Sequence, residues 1–252
     1  MAHAKELLRR AAGGELVYTA FLTPREEGLL TRALAPFGGT RCLCGGYAEA
    51  ERCRMVFLPD YLAELPTDCR DEALSSLLAD ALVPVEILGS GYRTLTHRDY
   101  LGAVLNLGIS RSAVGDVAVL SEHRAVLFCD SVIAAFLKET LTRVAQDAVK
   151  VNVIALPEGF DGGRRFEPVT DTVASPRADA VVAALCHLPR ERAQALFARG
   201  LVELDYEVLE KYDKEVTEGA TLTVRGYGKF RVRSLCDKTK KGRYRLLADR
   251  YI

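Results

Sequence analysis

Cations set the chemistry of this sequence. Between Arg225 and Arg245 it reads RGYGKFRVRSLCDKTKKGRYR, a density of guanidinium and ammonium groups suited to binding anions. The segment FRVRS alternates Arg231 and Arg233 with Phe230 and Val232, which predicts a strand with one packed face and one cationic face. Upstream, two helices are expected, Arg177 to Cys186 and, with Pro189 at N1, to Arg199, closed by Gly200. Their inward faces are Val181, Val182 and Leu185, then Ala193, Leu196 and Phe197. That leaves Arg177, Arg190, Arg192, Gln194 and Arg199 to point outward, where free helix N–H groups also favour phosphate. With Arg225, Lys229, Arg231 and Arg233 they form the candidate set for clamping nucleic-acid phosphates. Lys238, Lys240 and Lys241 are expected in the turn of a hairpin extension beyond it.

The charge is segregated. The chain has 252 residues with 34 Lys and Arg against 34 Asp and Glu, a formal net charge of zero. Yet Leu222 to Ile252 holds ten Lys and Arg against two Asp, a net +8, so the rest carries −8. Evenly mixed charge would serve solubility equally well, so the segregation points to a polyanionic partner; a cation-guarded sheet edge is the plainer alternative.

Other chemistries find less support. The seven cysteines are odd in number and lack paired CxxC spacing, which argues against a disulfide frame; Cys42, Cys44, Cys53 and Cys69 match no common zinc spacing. No metal or cofactor is expected. His97 and Asp99 stand two apart, a separation that turns side chains apart on a helix, so capping by Thr96 with Asp99 is the expected role. GSGYRT at Gly89 is half of a dinucleotide-binding pattern, and neither a Walker A sequence nor HExxH occurs. No export signal and no apolar run of membrane-spanning length is seen, so a cytoplasmic protein is expected.

The elements that must position these residues fall into three blocks, an α+β organisation. Residues 1–80 read as a small α/β unit in which Thr23 and Pro24 open a helix. Residues 81–156 read as β-α-β-β-α-β, the split βαβ order of ferredoxin-like and RRM folds. Its second helix is expected to be capped by Ser131 and to carry Ile133, Phe136, Leu137, Val144 and Ala148. The aromatic signature of an RNA-stacking RRM sheet is absent, since RAVLFCD supplies one ring. Residues 157–174, rich in Gly and Pro, are expected to be a linker, and 175–252 to form the cationic domain.

That last block resembles the S4-type RNA-binding domain in Arg177-x-Asp179, Arg190, Ala193, Leu196, Gly200 and Glu218-Gly219. It departs from the pattern at Ala178, Pro189, Asp205-Tyr206 and Ala220. FLTPREE at Phe21, GGYAEAERCR at Gly45, HRDYLGAVLNLGISRSAVGDV at His97 and RGYGKF at Arg225 together resemble the YlmH family of bacterial S4-domain proteins over nearly the whole chain. The resemblance implies an S4-like (αL) C-terminal domain and a non-catalytic protein on the large ribosomal subunit. There it would bind rRNA and obstructed peptidyl-tRNA as a monomer and assist quality control of stalled nascent chains. Some members are linked to cell division or photosystem biogenesis. An RNA-modifying enzyme that uses this domain to hold its substrate, or a module docking on a translation or division factor, stays open. Reversing charge at Arg190 is expected to abolish ribosome binding while leaving thermal stability nearly unchanged.

Overall fold

The computed structural model describes residues 2–67, 71–235, 239 and 242–252. The chain is α+β and divides into two compact units, Met1–Arg164 and Arg165–Ile252.

The first unit opens with α1 (Ala2–Ala12), β1 (Val17–Tyr18) and α2 (Pro24–Leu34). Thr23 caps α2 as expected: its hydroxyl accepts from the Glu26 N–H, and Glu26 accepts from the Thr23 N–H at 2.7 Å, a reciprocal capping box. β2 (Thr40–Cys44) and β3 (Arg54–Leu58) complete an antiparallel sheet in the order β1-β3-β2. β3 is buried throughout because both its faces are covered. Met55 and Phe57 pack with α1 residues Ala4, Leu7 and Ala11; Val56 and Leu58 pack with Cys42, Cys44, Leu74 and Leu78. Leu74 belongs to α3 (Glu72–Leu77), which Asp71 caps.

β4 (Val83–Gly89), α4 (His97–Asn106), β5 (Val117–Ser121), β6 (Arg124–Cys129), α5 (Ser131–Thr140), β7 (Arg143–Val144) and β8 (Asp147–Val153) follow. Their antiparallel sheet runs β5-β6-β4-β8-β7. This is the expected β-α-β-β-α-β order with one short strand added. Asp99 serves the Thr96 cap of α4, accepting from its N–H at 2.8 Å. Two local expectations give way. The cap of α5 is Asp130, which accepts from the Ile133 N–H at 2.9 Å, and Ser131 is the first helical residue. The helix stops at Thr140, so Val144 and Ala148 lie in β7 and β8, around a turn with Ala145 at φ 53°. Helical spacing continued past Thr140, but strand pairing decided the conformation there.

The expected break near residue 80 is not a boundary between packed units. Phe21 and Tyr47 from the first block share a core with Val126 and Phe128 of β6. The Tyr47 and Phe128 rings stack at 5.3 Å between centroids, and Phe160 meets Tyr47 edge-on at 5.4 Å. Gly162 closes this corner: a Cβ there would fall 2.6 Å from the Tyr47 ring.

The second unit is built from β9 (Phe166–Val173), α6 (Ala178–Leu185), α7 (Arg190–Ala198), β10 (Val202–Leu204), β11 (Glu207–Val208), β12 (Thr221–Val224), β13 (Gly228–Ser234) and β14 (Tyr244–Tyr251). Its sheet runs β11-β10-β12-β13-β14-β9. The expected linker 157–174 is therefore corrected, because residues 166–173 form β9 and all eight pair with β14. β9 is an edge strand, the place where a sheet tolerates a residue such as Pro168. Val181, Val182, Leu185, Ala193, Leu196 and Phe197 cover one face of this sheet over Val202, Leu222, Val224, Phe230, Val232 and Leu246. Lys238, Lys240 and Lys241, expected in the turn of a hairpin extension, lie outside the described residues.

Candidate nucleic-acid interface

The helix pair of the second unit is shaped by its two ends. α6 ends at Leu185, and His187 takes φ 52° so that the Leu188 N–H reaches the Ala183 carbonyl at 2.9 Å. α7 ends the same way through Gly200 at φ 65°, with the Leu201 N–H on the Leu196 carbonyl at 3.0 Å. Pro189 is the residue before the first turn of α7 rather than inside it. The chain then forms the β10–β11 hairpin through Asp205 and Tyr206 at φ 49° and 65°, a two-residue turn matched to strand twist.

Between the helices lies a buried carboxylate. Asp179 is 0 % exposed and receives Arg190 through two hydrogen bonds of 3.0 Å, Gln194 at 2.7 Å and Arg177 at 3.3 and 3.4 Å. Burial pushes its carboxyl up, but the hydrogen bonds from Arg190, Gln194 and Arg177 outweigh that and hold its pKa down at about 2. Arg177 also lies over the Tyr212 ring, 5.6 Å from its centroid, where residues 212–216 fold back on the start of α6. Three of the nine expected RNA contacts thus fasten the helix pair together. Their side chains keep an exposed part, 37 % for Arg177 and 48 % for Arg190, so they frame the surface while serving the core.

Arg192 and Arg199 differ. Both are exposed on α7 and its cap, and neither side chain makes a hydrogen bond or ion pair among the described residues. On the sheet, Arg231 and Arg233 project from β13 opposite to Phe230 and Val232, as the alternation predicted. Arg233 pairs with Asp249 on β14, and Arg225 pairs with Glu203 at 3.5 Å. Lys229 lies between two rings, 4.7 Å from the centroid of Tyr206 and 4.8 Å from that of Tyr251, and Phe166 meets Tyr251 edge-on at 5.0 Å. These aromatics were missed in the sequence because they come from one turn and two distant strands. No linear motif joins them.

The first unit holds a second polar centre. Asp116 accepts from the Tyr47 hydroxyl at 2.7 Å, the Glu51 N–H at 2.8 Å and the Arg52 N–H at 3.1 Å, and pairs with Arg164 at 3.4 Å. Arg52 donates onward to the carbonyls of Phe21 and Val114, while Arg111 reaches Val114 at 2.6 Å and Gly115 at 2.9 Å. Burial, then the neighbouring Arg52, depress the Arg111 guanidinium to about 10. Glu27 accepts from the Cys53 N–H at 3.0 Å, and burial pushes its carboxyl up to about 6. The segments FLTPREE, GGYAEAERCR and the end of the His97 motif therefore converge on one scaffold.

Among the described residues, no group of three His, Cys, Asp or Glu could hold a metal ion, and no helix is long and apolar enough to cross a membrane. Cys42, Cys44 and Cys53 are buried, and Cys69 lies outside the described residues.

Comparison with known proteins bears on this geometry. Residues 85–158 match the family model described as "Putative RNA-binding domain in YlmH". The chain is 32 % identical over 232 residues to the ribosome-associated protein quality control protein P2 of Bacillus subtilis (strain 168), covering 92 % of this chain and 86 % of that one. The solved cell division protein ylmH from Streptococcus pneumoniae superposes with a TM-score of 0.50 at 19 % identity, over 64 % of this chain and 92 % of that one, a likeness of fold. With its RNA-binding domain at 85–158 and that relative matched nearly end to end, the chain belongs to the YlmH family.

Proposed function

We propose that this protein is a non-catalytic, cytoplasmic RNA-binding factor that acts as a monomer on the large ribosomal subunit, gripping rRNA and peptidyl-tRNA to assist quality control of stalled nascent chains. The observation that carries the reading is the placement of the cations. In a chain belonging to this family, α7 presents Arg192 and Arg199 to solvent from a helix pair fastened by Asp179. A rigid frame with exposed guanidiniums is what recognition of folded RNA by shape needs, since phosphate contacts fix orientation without reading sequence. In this reading the second unit works as an S4-type domain.

The test is co-sedimentation of purified protein with large ribosomal subunits across a salt series. If about five phosphates are engaged, log affinity falls with log salt at a slope near −4. Arg192→Glu with Arg199→Glu is expected to remove most binding while leaving the melting temperature unchanged, because neither side chain supports the core. A flat salt response, or undiminished binding by that double variant, overturns the reading.

A further inference from the structure

We propose that the outer face of the six-stranded sheet in the second unit binds single-stranded RNA, with the rings of Tyr206 and Tyr251 stacking on unpaired bases and Lys229, Arg231 and Arg245 engaging phosphates. The inference rests on the RNA-binding reading above and adds a surface distinct from the helix pair. Helices α6 and α7 cover one side of the sheet; the residues that alternate away from them define the other. Strand pairing aligns Glu203, Thr223 and Lys229, and Tyr251 with Phe166, in a row that the Lys229–Tyr251 contact joins across five strands, with Thr221, Arg231, Asp249 and Pro168 in the next. Arg245 extends the face two pairs beyond Leu247 and is exposed.

The rings are held in place before any ligand arrives. Lys229 bridges Tyr206 and Tyr251, and Phe166 meets Tyr251 at 5.0 Å. Fixed rings on a sheet beside cations are the arrangement by which proteins take up single strands: bases stack on the rings while the backbone follows the charges. A duplex cannot use such rings, because its base faces are already stacked. Charge selects nucleic acid over an apolar or basic partner. Residues 222–252 carry a net +8. Glu203 and Asp249 on this face are engaged by Arg225 and Arg233.

The experiment measures fluorescence anisotropy of the full chain with two probes, a single-stranded oligoadenylate of about 12 nucleotides and a fully paired RNA duplex of about 16 base pairs. Lys229→Gln with Tyr251→Leu is expected to weaken oligoadenylate binding about 10- to 100-fold, with duplex affinity nearly unchanged. Tyr251→Phe keeps the ring and is expected to retain single-strand binding, which separates loss of stacking from loss of fold. Arg192→Glu with Arg199→Glu is expected to act mainly on the duplex. If oligoadenylate binding survives the sheet variants, or falls only with the helix variants, the second surface is overturned while the RNA-binding reading stands. If the wild type binds neither probe, both fall. Polyglutamate binding as tightly as oligoadenylate, and responding to the same variants, marks a surface for acidic chains and also overturns the proposal.

Discussion

Each unit of this protein is organised around a carboxylate amid arginines, yet the two centres do different work. Asp116 gathers groups distant in the chain, Tyr47, Glu51, Arg52 and Arg164, and two of its donors are backbone N–H groups. Asp179 gathers Arg177, Arg190 and Gln194 from one helix pair, all through side chains whose outer parts reach solvent. The first centre joins what the sequence presented as separate blocks. The second fastens a local helix pair on which Arg192 and Arg199 are exposed to solvent. The arginines of this helix pair therefore divide into Arg177 and Arg190, which build the frame, and Arg192 and Arg199, which it presents.

The sharpest way to break the comparison is to remove each carboxylate. Asp116→Ala is expected to cost about 3–5 kcal/mol, because the Tyr47 hydroxyl and two part-buried backbone N–H groups lose their acceptor, although Arg164 keeps Glu51 at 3.5 Å. Asp179→Ala is expected to cost less, about 2–3 kcal/mol, since its partners can turn to water. Denaturant unfolding of both variants checks the order; an equal or reversed order would show that the centres are not built differently.

Arg190→Glu tests the frame within the second unit. From the sequence it was expected to abolish binding at no cost in stability. The structure corrects this, because the new carboxylate would face Asp179 and remove its two shortest arginine contacts. A loss of about 1–2 kcal/mol is now expected, alongside lost RNA binding. An unchanged melting temperature would place Arg190 among the presented cations instead.

The two units also hold carboxylates that respond oppositely to acid. Asp179 has a folded pKa near 2, below the usual carboxylate value, so its stabilisation is present above about pH 4 and is lost as pH falls toward 2. Glu27 has the opposite sign. Its pKa is raised to about 6, so its contribution is full below its ordinary value of 4.5 and is lost as pH rises through 6. Glu27→Gln, which keeps an acceptor for the Cys53 N–H, is expected to stabilise the first unit by about 1 kcal/mol at pH 7.5 and by nothing at pH 4. Thermal melts across pH check both signs.

Much of the local architecture was legible in the residues. Thr23-Pro24 and Thr96 with Asp99 announced their helices because a cap is a local hydrogen-bonding problem with few solutions. The alternation in FRVRS fixed which face of β13 is cationic. Ser131 was misread as a cap because Asp130, one residue earlier, competes for the same N–H groups and accepts the bond. The segment 166–173 was misread because glycines and prolines around it signal a loop, while its partner, β14, lies more than seventy residues away.

By itself the sequence determined the order of most elements, the segregation of charge toward the C-terminus and the resemblance that family membership confirmed, since each rests on adjacency or on composition. Only the tertiary structure decided which cations are fastened and which are presented. Arg190 and Arg192 are two residues apart and chemically identical, but one turns inward to Asp179 and the other outward to solvent. The same holds for Tyr206, Lys229, Tyr251 and Phe166, neighbours only because six strands pair in one register. The free energy of a charge or a ring depends on what surrounds it, and those surroundings are assembled from parts of the chain far apart in sequence.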